Sequence, residues 1–198
     1  MNVSAIVLCG GRSSRMGRDK ATLPFGTETS AGRVLRLVRE VTTDIVLVGR
    51  GDPGALTDCR VIGDPGKGPL VALAIGLGAT SAHRTLVVAC DMPLVRPALL
   101  THLVERIGEY DACVPRIEAV AVPTCAVYAR GVDAVARSLV AAGERSLRAL
   151  LERVSVRWVE ESELREIDPD LGSFIDCDTP QDYARALRVA GFNTDRWD

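Results

Sequence analysis

Val3-Ser4-Ala5-Ile6-Val7-Leu8-Cys9-Gly10-Gly11, running on through Arg12-Ser13-Ser14-Arg15-Met16-Gly17-Arg18-Asp19-Lys20, is the stretch on which the fold reading turns. Residues 3–8 are a short apolar run bounded by paired glycines, which reads as a buried strand feeding a tight turn. Adjacent glycines let the backbone turn sharply and come close to a ligand. Exposed N–H groups at such a turn can cradle phosphate oxygens. Arg15 and Lys20 add the positive charge that a polyphosphate needs as charge shifts during transfer. Two familiar phosphate loops do not fit. GxxxxGK[ST] has no match, and the dinucleotide fingerprint GxGxxG fails because position 12 is Arg. A plain polar Gly/Ser/Arg connection is the other reading. Its place after the first strand of an α/β sheet speaks for a ligand, since ligands bind at the carboxyl ends of strands.

Outward from this stretch, short apolar runs alternate with amphipathic ones. The spacing predicts a helix over 31–41, strands over 44–48 and 60–62, a helix over 69–79 with Pro69 at its start, a strand over 84–89, a helix over 97–107 and a strand over 112–115. The second part is less regular, with a bent strand or strand pair over 119–129, helices over 132–139 and 146–154, and a strand over 156–159. Thr179 is a candidate N-cap, followed by Pro180 and a helix to about 190. The pattern indicates an α/β protein with a mostly parallel central sheet flanked by helices on both faces. With no repeat and no linker, residues 1–198 read as one domain.

The chain has 198 residues, 47% hydrophobic and 25% charged, with a formal net charge of −2. That balance provides no long-range attraction to nucleic acid or to an anionic membrane, so any phosphate binding must be local. Lys20 and Lys67 are the only lysines among 24 basic residues, and both lie beside glycine-rich turns. A compact ammonium suits a crowded phosphate site; a compositional bias toward Arg explains the pattern equally well. The six cysteines form no CxxC pair, which argues against a zinc site, and they read as reduced and structural. His83 and His102 lie outside the glycine-rich loops and are assigned structural or surface roles. The N-terminus has no basic n-region or cleavage site, and no apolar run is long enough to span a bilayer, so a cytoplasmic protein is expected.

Residues 8–26, LCGGRSSRMGRDKATLPFG, closely resemble the signature loop of the molybdenum cofactor guanylyltransferase family, with Cys9 where Ala is usual. The resemblance implies a Rossmann-like, glycosyltransferase-A-like nucleotidyltransferase fold. Its nucleotide-binding half would be 1–115 and its acceptor-binding half 116–198. It assigns nucleotide contacts to Leu8, Cys9, Gly10, Gly11, Arg15, Gly17 and Lys20. Asp64 and the later Gly68-Pro69-Leu70 match a second nucleotide-holding segment, although the family continues GPLAG where this chain has GPLVA. Asp64 read alone is also a plain turn aspartate. Thr85-Leu86-Val87-Val88-Ala89-Cys90-Asp91-Met92-Pro93 matches the strand whose terminal carboxylate holds magnesium, as one or two carboxylates with phosphate oxygens commonly do. Asp91 could instead cap the helix that follows.

Phe174-Ile175-Asp176-Cys177-Asp178-Thr179-Pro180 resembles the family's closing motif, with aspartates where two asparagines are common. The resemblance makes Asp178 a second metal ligand and Asp176 an acceptor contact; as a bare sequence feature, Asp178 could simply N-cap the last helix. Residues 123–128 and 143–148 match the family more weakly and receive no role. Gly49 stands where Asn is frequent.

The activity so implied is transfer of GMP from GTP to the phosphate of molybdopterin or its molybdenum form, with release of pyrophosphate and Mg2+ as cofactor. Arg15, Lys20 and Asp91 would be the catalytic residues. Molybdoenzymes or their chaperones would be partners. The alternatives are a cytidylyltransferase on the same cofactor, a sugar-phosphate nucleotidyltransferase and a non-catalytic nucleotide-binding adaptor.

Overall fold

A computed structural model describes residues 2–10, 20–49 and 59–193. The strands are β1 (Val3–Cys9), β2 (Pro24–Phe25), β3 (Glu28–Thr29), β4 (Ile45–Gly49), β5 (Arg60–Gly63), β6 (Arg84–Ala89), β7 (Ala112–Ile117), β8 (Val120–Ala121), β9 (Cys125–Ala129) and β10 (Val156–Glu160). The helices are α1 (Ser30–Arg39), α2 (Pro69–Gly78), α3 (Pro97–Arg106), α4 (Val132–Ala141), α5 (Leu147–Leu151), α6 (Glu161–Ile167) and α7 (Pro180–Val189).

The central sheet runs β10-β7-β9-β6-β1-β4-β5, with β8 added to β7. β1 lies parallel between β4 and β6, with Leu8 opposite both Val48 and Ala89. β9 is antiparallel to both β6 and β7, and every other neighbour on the main path is parallel. The expected mostly parallel sheet flanked by helices is therefore present, with one reversed strand inside it. The sheet takes strands from both sides of residue 115.

Alternation along each strand sorts side chains onto two faces. Ala5, Val7 and Cys9 face a core built with α1, α3 and α6. Ile6 and Leu8 face a second core built with α2, α4 and α5. α1 begins where the Thr29 hydroxyl accepts from the Gly32 N–H at 3.0 Å, and it buries Ala31, Val34, Leu35 and Val38 on one stripe. α2 is apolar on nearly all sides, and Pro69 opens it after Gly68 turns with φ 112. Gly76 lets α2 lie against β1, because a Cβ there would sit 2.7 Å from the Ile6 side chain.

A third, smaller core joins Leu23 and Phe25 of the β2–β3 segment to Cys177, Tyr183, Ala186 and Leu187. It fixes α7, and the segment before it, against the start of the chain's described second stretch. The capping expectation for α7 holds in full. The Thr179 hydroxyl accepts from the Asp182 N–H at 3.1 Å, and the Asp182 carboxylate accepts from the Thr179 N–H at 3.1 Å.

Of the two readings of 119–129 the strand pair is the one found, with β8 on β7 and β9 between β6 and β7. Other elements differ from the sequence expectations. The helix expected over 146–154 contracts to α5, entered at Ser146, whose hydroxyl accepts from the Arg148 N–H at 3.1 Å. β2, β3 and α6 had no counterpart in the reading of the sequence.

Candidate active site

The carboxyl ends of β1, β5 and β6 open onto one edge of the sheet, and the reversed β9 brings its amino end there. Along that edge a cleft of about 990 Å³ runs past Gly10 and Asp64, then Lys20, Asp91 and Asp178, then Thr124, Pro123 and the β7–β8 turn. About 300–1,000 Å³ accommodates one drug-sized ligand, so the cleft is at the upper end of that range.

Lys20 is part of its lining. Its Nζ is 3.1 Å from Asp91 Oδ2 and also pairs with Asp178 Oδ1. Asp91 lies two residues past the end of β6, and its carbonyl accepts from the Cys177 N–H at 2.9 Å. The N-cap of α3 is Arg96 and that of α7 is Thr179, so neither Asp91 nor Asp178 is spent as a helix cap. Both carboxylates face a cation instead. Burial alone would lower the Lys20 pKa, but the hydrogen bonds and charges of Asp178 and Asp91 outweigh it and raise it above 10.5. The stabilising contribution of this pair is thus fully present below pH 10.5 and lost as pH climbs through the higher folded value.

Asp64, on the nucleotide side expected from the sequence, is largely buried. Its Oδ1 accepts from the Gly66 N–H at 2.8 Å, so the turn role is real. Its Oδ2 points at Gly10, and a Cβ at Gly10 would overlap that oxygen. Gly10 is therefore required for β1 and the Asp64 turn to meet. Cys9 and Gly49, the two departures from the family pattern at this edge, are register partners. A Cβ at Gly49 would lie 2.8 Å from the Cys9 Cβ and 3.0 Å from its carbonyl oxygen, so the strands approach too closely here for an asparagine.

Leu8, Cys9, Gly10, Lys20, Asp64, Gly68, Pro69, Asp91, Asp176 and Asp178 all line the cleft. Leu70 does not; it is fully buried in the second core, and its N–H donates to the Arg145 carbonyl at 3.2 Å, anchoring the Gly68-Pro69 turn. Gly11, Arg15 and Gly17 lie outside the described residues. His102 belongs to an ion cluster with Glu163, Arg106 and Arg157 that ties α3 to α6. All six cysteines are free thiols; burial pushes Cys113 and Cys125 up to about 12.

The site also contains residues to which the sequence assigned no role. The β7–β8 turn places Ile117, Glu118 and Val120 over the cleft, with Glu118 and Ala119 at φ 47 and 64 and Val120 66% exposed. Phe174 forms a wall beside Asp176, and both are shared with a smaller neighbouring cavity of about 370 Å³. The turn carries no glycine or asparagine, so its usual signal was missing.

Burial, and then the negative charges of Asp178, Asp91 and Asp182, raise the Asp176 pKa, with Lys20 opposing. Asp176 is thus held among like charges. Asp176→Asn, which restores the residue common in the family, is expected to raise Tm at pH 7 by about a degree or two, since solvent screens an exposed charge. Calorimetry of both proteins checks this; an equal or lower Tm would mean that the repulsion does not reach the folded state's stability.

Among the described residues no group of three His, Cys, Asp or Glu side chains converges as a metal site. Asp91 and Asp178 do converge on one cation, the Lys20 ammonium. Two hard carboxylates with the rest of the sphere left to phosphate oxygens and water is a donor set that magnesium accepts, so the residues present fit that ion.

A protein of Pelotomaculum thermopropionicum named "Probable molybdenum cofactor guanylyltransferase" is 33% identical over 96% of this chain and 94% of its own length. The "Molybdenum cofactor guanylyltransferase" of Desulfosudis oleivorans is 30% identical over 93% of this chain and 94% of its own. Among solved structures, the molybdopterin-guanine dinucleotide biosynthesis protein A of Archaeoglobus fulgidus superposes with a TM-score of 0.81 at 27% identity, covering 95% of this chain and 98% of that one. The family description "MobA-like NTP transferase domain" matches residues 5–161, which hold the Gly10 turn, Lys20, Asp64 and Asp91. The chain belongs to that family and is a nucleotidyltransferase.

Proposed function

We propose that the chain transfers GMP from GTP to the phosphate of molybdopterin or its molybdenum form, releasing pyrophosphate. The observation that carries the reading is the Lys20 ammonium held between Asp91 and Asp178 in the lining of a cleft of about 990 Å³. The names of the relatives supply guanine and the molybdenum cofactor.

An oxygen of the acceptor phosphate attacks the α-phosphorus of GTP in line. The new P–O bond forms as the bond to the bridging oxygen of pyrophosphate breaks. Positioning and charge stabilisation suffice, and no protein nucleophile is needed. Gly10, Asp64, Gly68 and Pro69 receive the nucleoside side, where the Asp64 carboxylate can accept from base or ribose. Asp91 and Asp178 would hold magnesium, which supplies charge neutralisation at the reacting phosphates. Lys20 then exchanges its carboxylates for phosphate oxygens, joined by Arg15. Asp176, Phe174 and the β7–β8 turn flank the acceptor, so residues 1–115 serve chiefly the nucleotide and 116–198 the acceptor. No helix among the described residues is long and apolar enough to cross a membrane; we place the reaction in the cytoplasm, with molybdoenzymes or their chaperones receiving the product.

The test is pyrophosphate release with GTP, CTP, ATP and UTP in turn, with Mg2+ and molybdopterin present. GTP is expected to be preferred by at least about 100-fold. A preference for CTP would move the chain to cytidylyl transfer, and no release with any nucleotide would leave a binding protein.

A further inference from the structure

Asp91 and Asp178 come from distant segments, and a shared metal requires their separation to be held. Lys20 bridges them, but a flexible side chain drawn toward phosphate cannot do so throughout a catalytic cycle. Two ties that do not use Lys20 join the segments. One is the Cys177 N–H donating to the Asp91 carbonyl at 2.9 Å. The other is built on Asp168, a carboxylate with no exposed surface.

Asp168 Oδ2 accepts from the Ser173 N–H at 2.7 Å, and its Oδ1 lies 3.1 Å from Arg96 Nε. The Arg96 N–H in turn donates to the Ser173 hydroxyl at 3.0 Å. The Leu171 N–H donates to the Asp168 carbonyl at 2.9 Å, with Leu171 in the left-handed region at φ 51. The turn 171–174 is thus wrapped around one buried carboxylate and tied to Arg96, five residues after Asp91. Phe174 closes that turn, and Asp176 and Asp178 lie two and four residues beyond it.

An ion pair whose arginine is half exposed is a weak source of stability, since solvent screens the charge. Conformational specificity is the better account of one placed between the two carboxylate-bearing segments. We propose that Asp168 is a positioning residue that, through Arg96 and Ser173, sets the separation of Asp91 and Asp178 and so their affinity for a divalent cation. This rests on the magnesium reading above.

The experiment is a titration with Mn2+, read by the electron paramagnetic resonance of the free ion, in the wild-type chain and in Asp168→Ala, Asp168→Asn, Arg96→Met and Asp91→Asn. Circular dichroism and metal-free GTP affinity are followed alongside. Asp168→Ala is expected to lose about 10- to 100-fold in Mn2+ affinity with the circular dichroism and GTP affinity unchanged. Asp168→Asn, which can still accept from the Ser173 N–H, should recover part of the loss. Arg96→Met, altering a half-exposed side chain, should weaken Mn2+ in the same direction, and it decides the matter if Asp168→Ala does not fold. Wild-type Mn2+ affinity in a folded Asp168→Ala, or in Arg96→Met if that variant must decide alone, would overturn the positioning role. Absence of Asp91-dependent Mn2+ binding in the wild type would overturn the magnesium reading and this inference with it.

Discussion

In the Asp91→Asn variant, turnover falls by about a thousandfold or more while GTP affinity changes far less. The amide has nearly the shape of the carboxylate, and the Asp91 carbonyl that receives the Cys177 N–H is untouched. The strand end and the closing segment therefore stay where they are. What disappears is the negative charge at Oδ2, which faces the Lys20 ammonium 3.1 Å away in the free protein and would face magnesium during transfer. The proposed nucleoside side, at Gly10, Asp64, Gly68 and Pro69, does not use Asp91, so binding is expected to survive in part. Pyrophosphate release gives kcat, and calorimetric titration with GTP gives the affinity. Full turnover in this variant would remove Asp91 from the metal site.

Lys20→Met is expected to lower kcat/KM by about 10²- to 10³-fold. Methionine keeps much of the side chain's length and apolar stem but leaves the Asp91 and Asp178 carboxylates without their cation. The variant should also be less stable than the wild type by a margin that stays flat over roughly pH 6 to 9. The sign follows from the raised Lys20 pKa: the ammonium is charged throughout that range, and the difference closes only as pH passes above 10.5. Urea denaturation at several pH values checks it. A difference that vanished near neutral pH would mean that the ammonium is not paired as described.

The elements that set the frame were legible because they carry local signals. β1 and β6 are apolar runs closed by glycines or by Asp91, and α7 announces itself through Thr179, Pro180 and Asp182. α6 follows β10 without an intervening loop, and its N-cap Glu160 makes no side-chain cap, so no boundary marked it. β2 and β3 are two residues each, below the reach of any periodicity. Strand direction has no compositional sign, which hid the reversal of β9. The pairing of Lys20 with Asp178 spans 158 residues and is a product of the third core, which seats Cys177 against Leu23 and Phe25. Resemblance could nominate these side chains, but only the fold brings them to one point.

The reversed strand has a consequence for the order in which the molecule assembles. β6 acquires its second neighbour only when residues 125–129 exist, and β7 gains β10 later still. Non-local pairing of this kind makes folding slow and keeps strand edges open in the growing chain. Asp178 lies beyond the last of these strands. A nascent chain can therefore close its entire sheet while the proposed catalytic centre still lacks one of its two carboxylates, so on that reading folding competence precedes activity during synthesis.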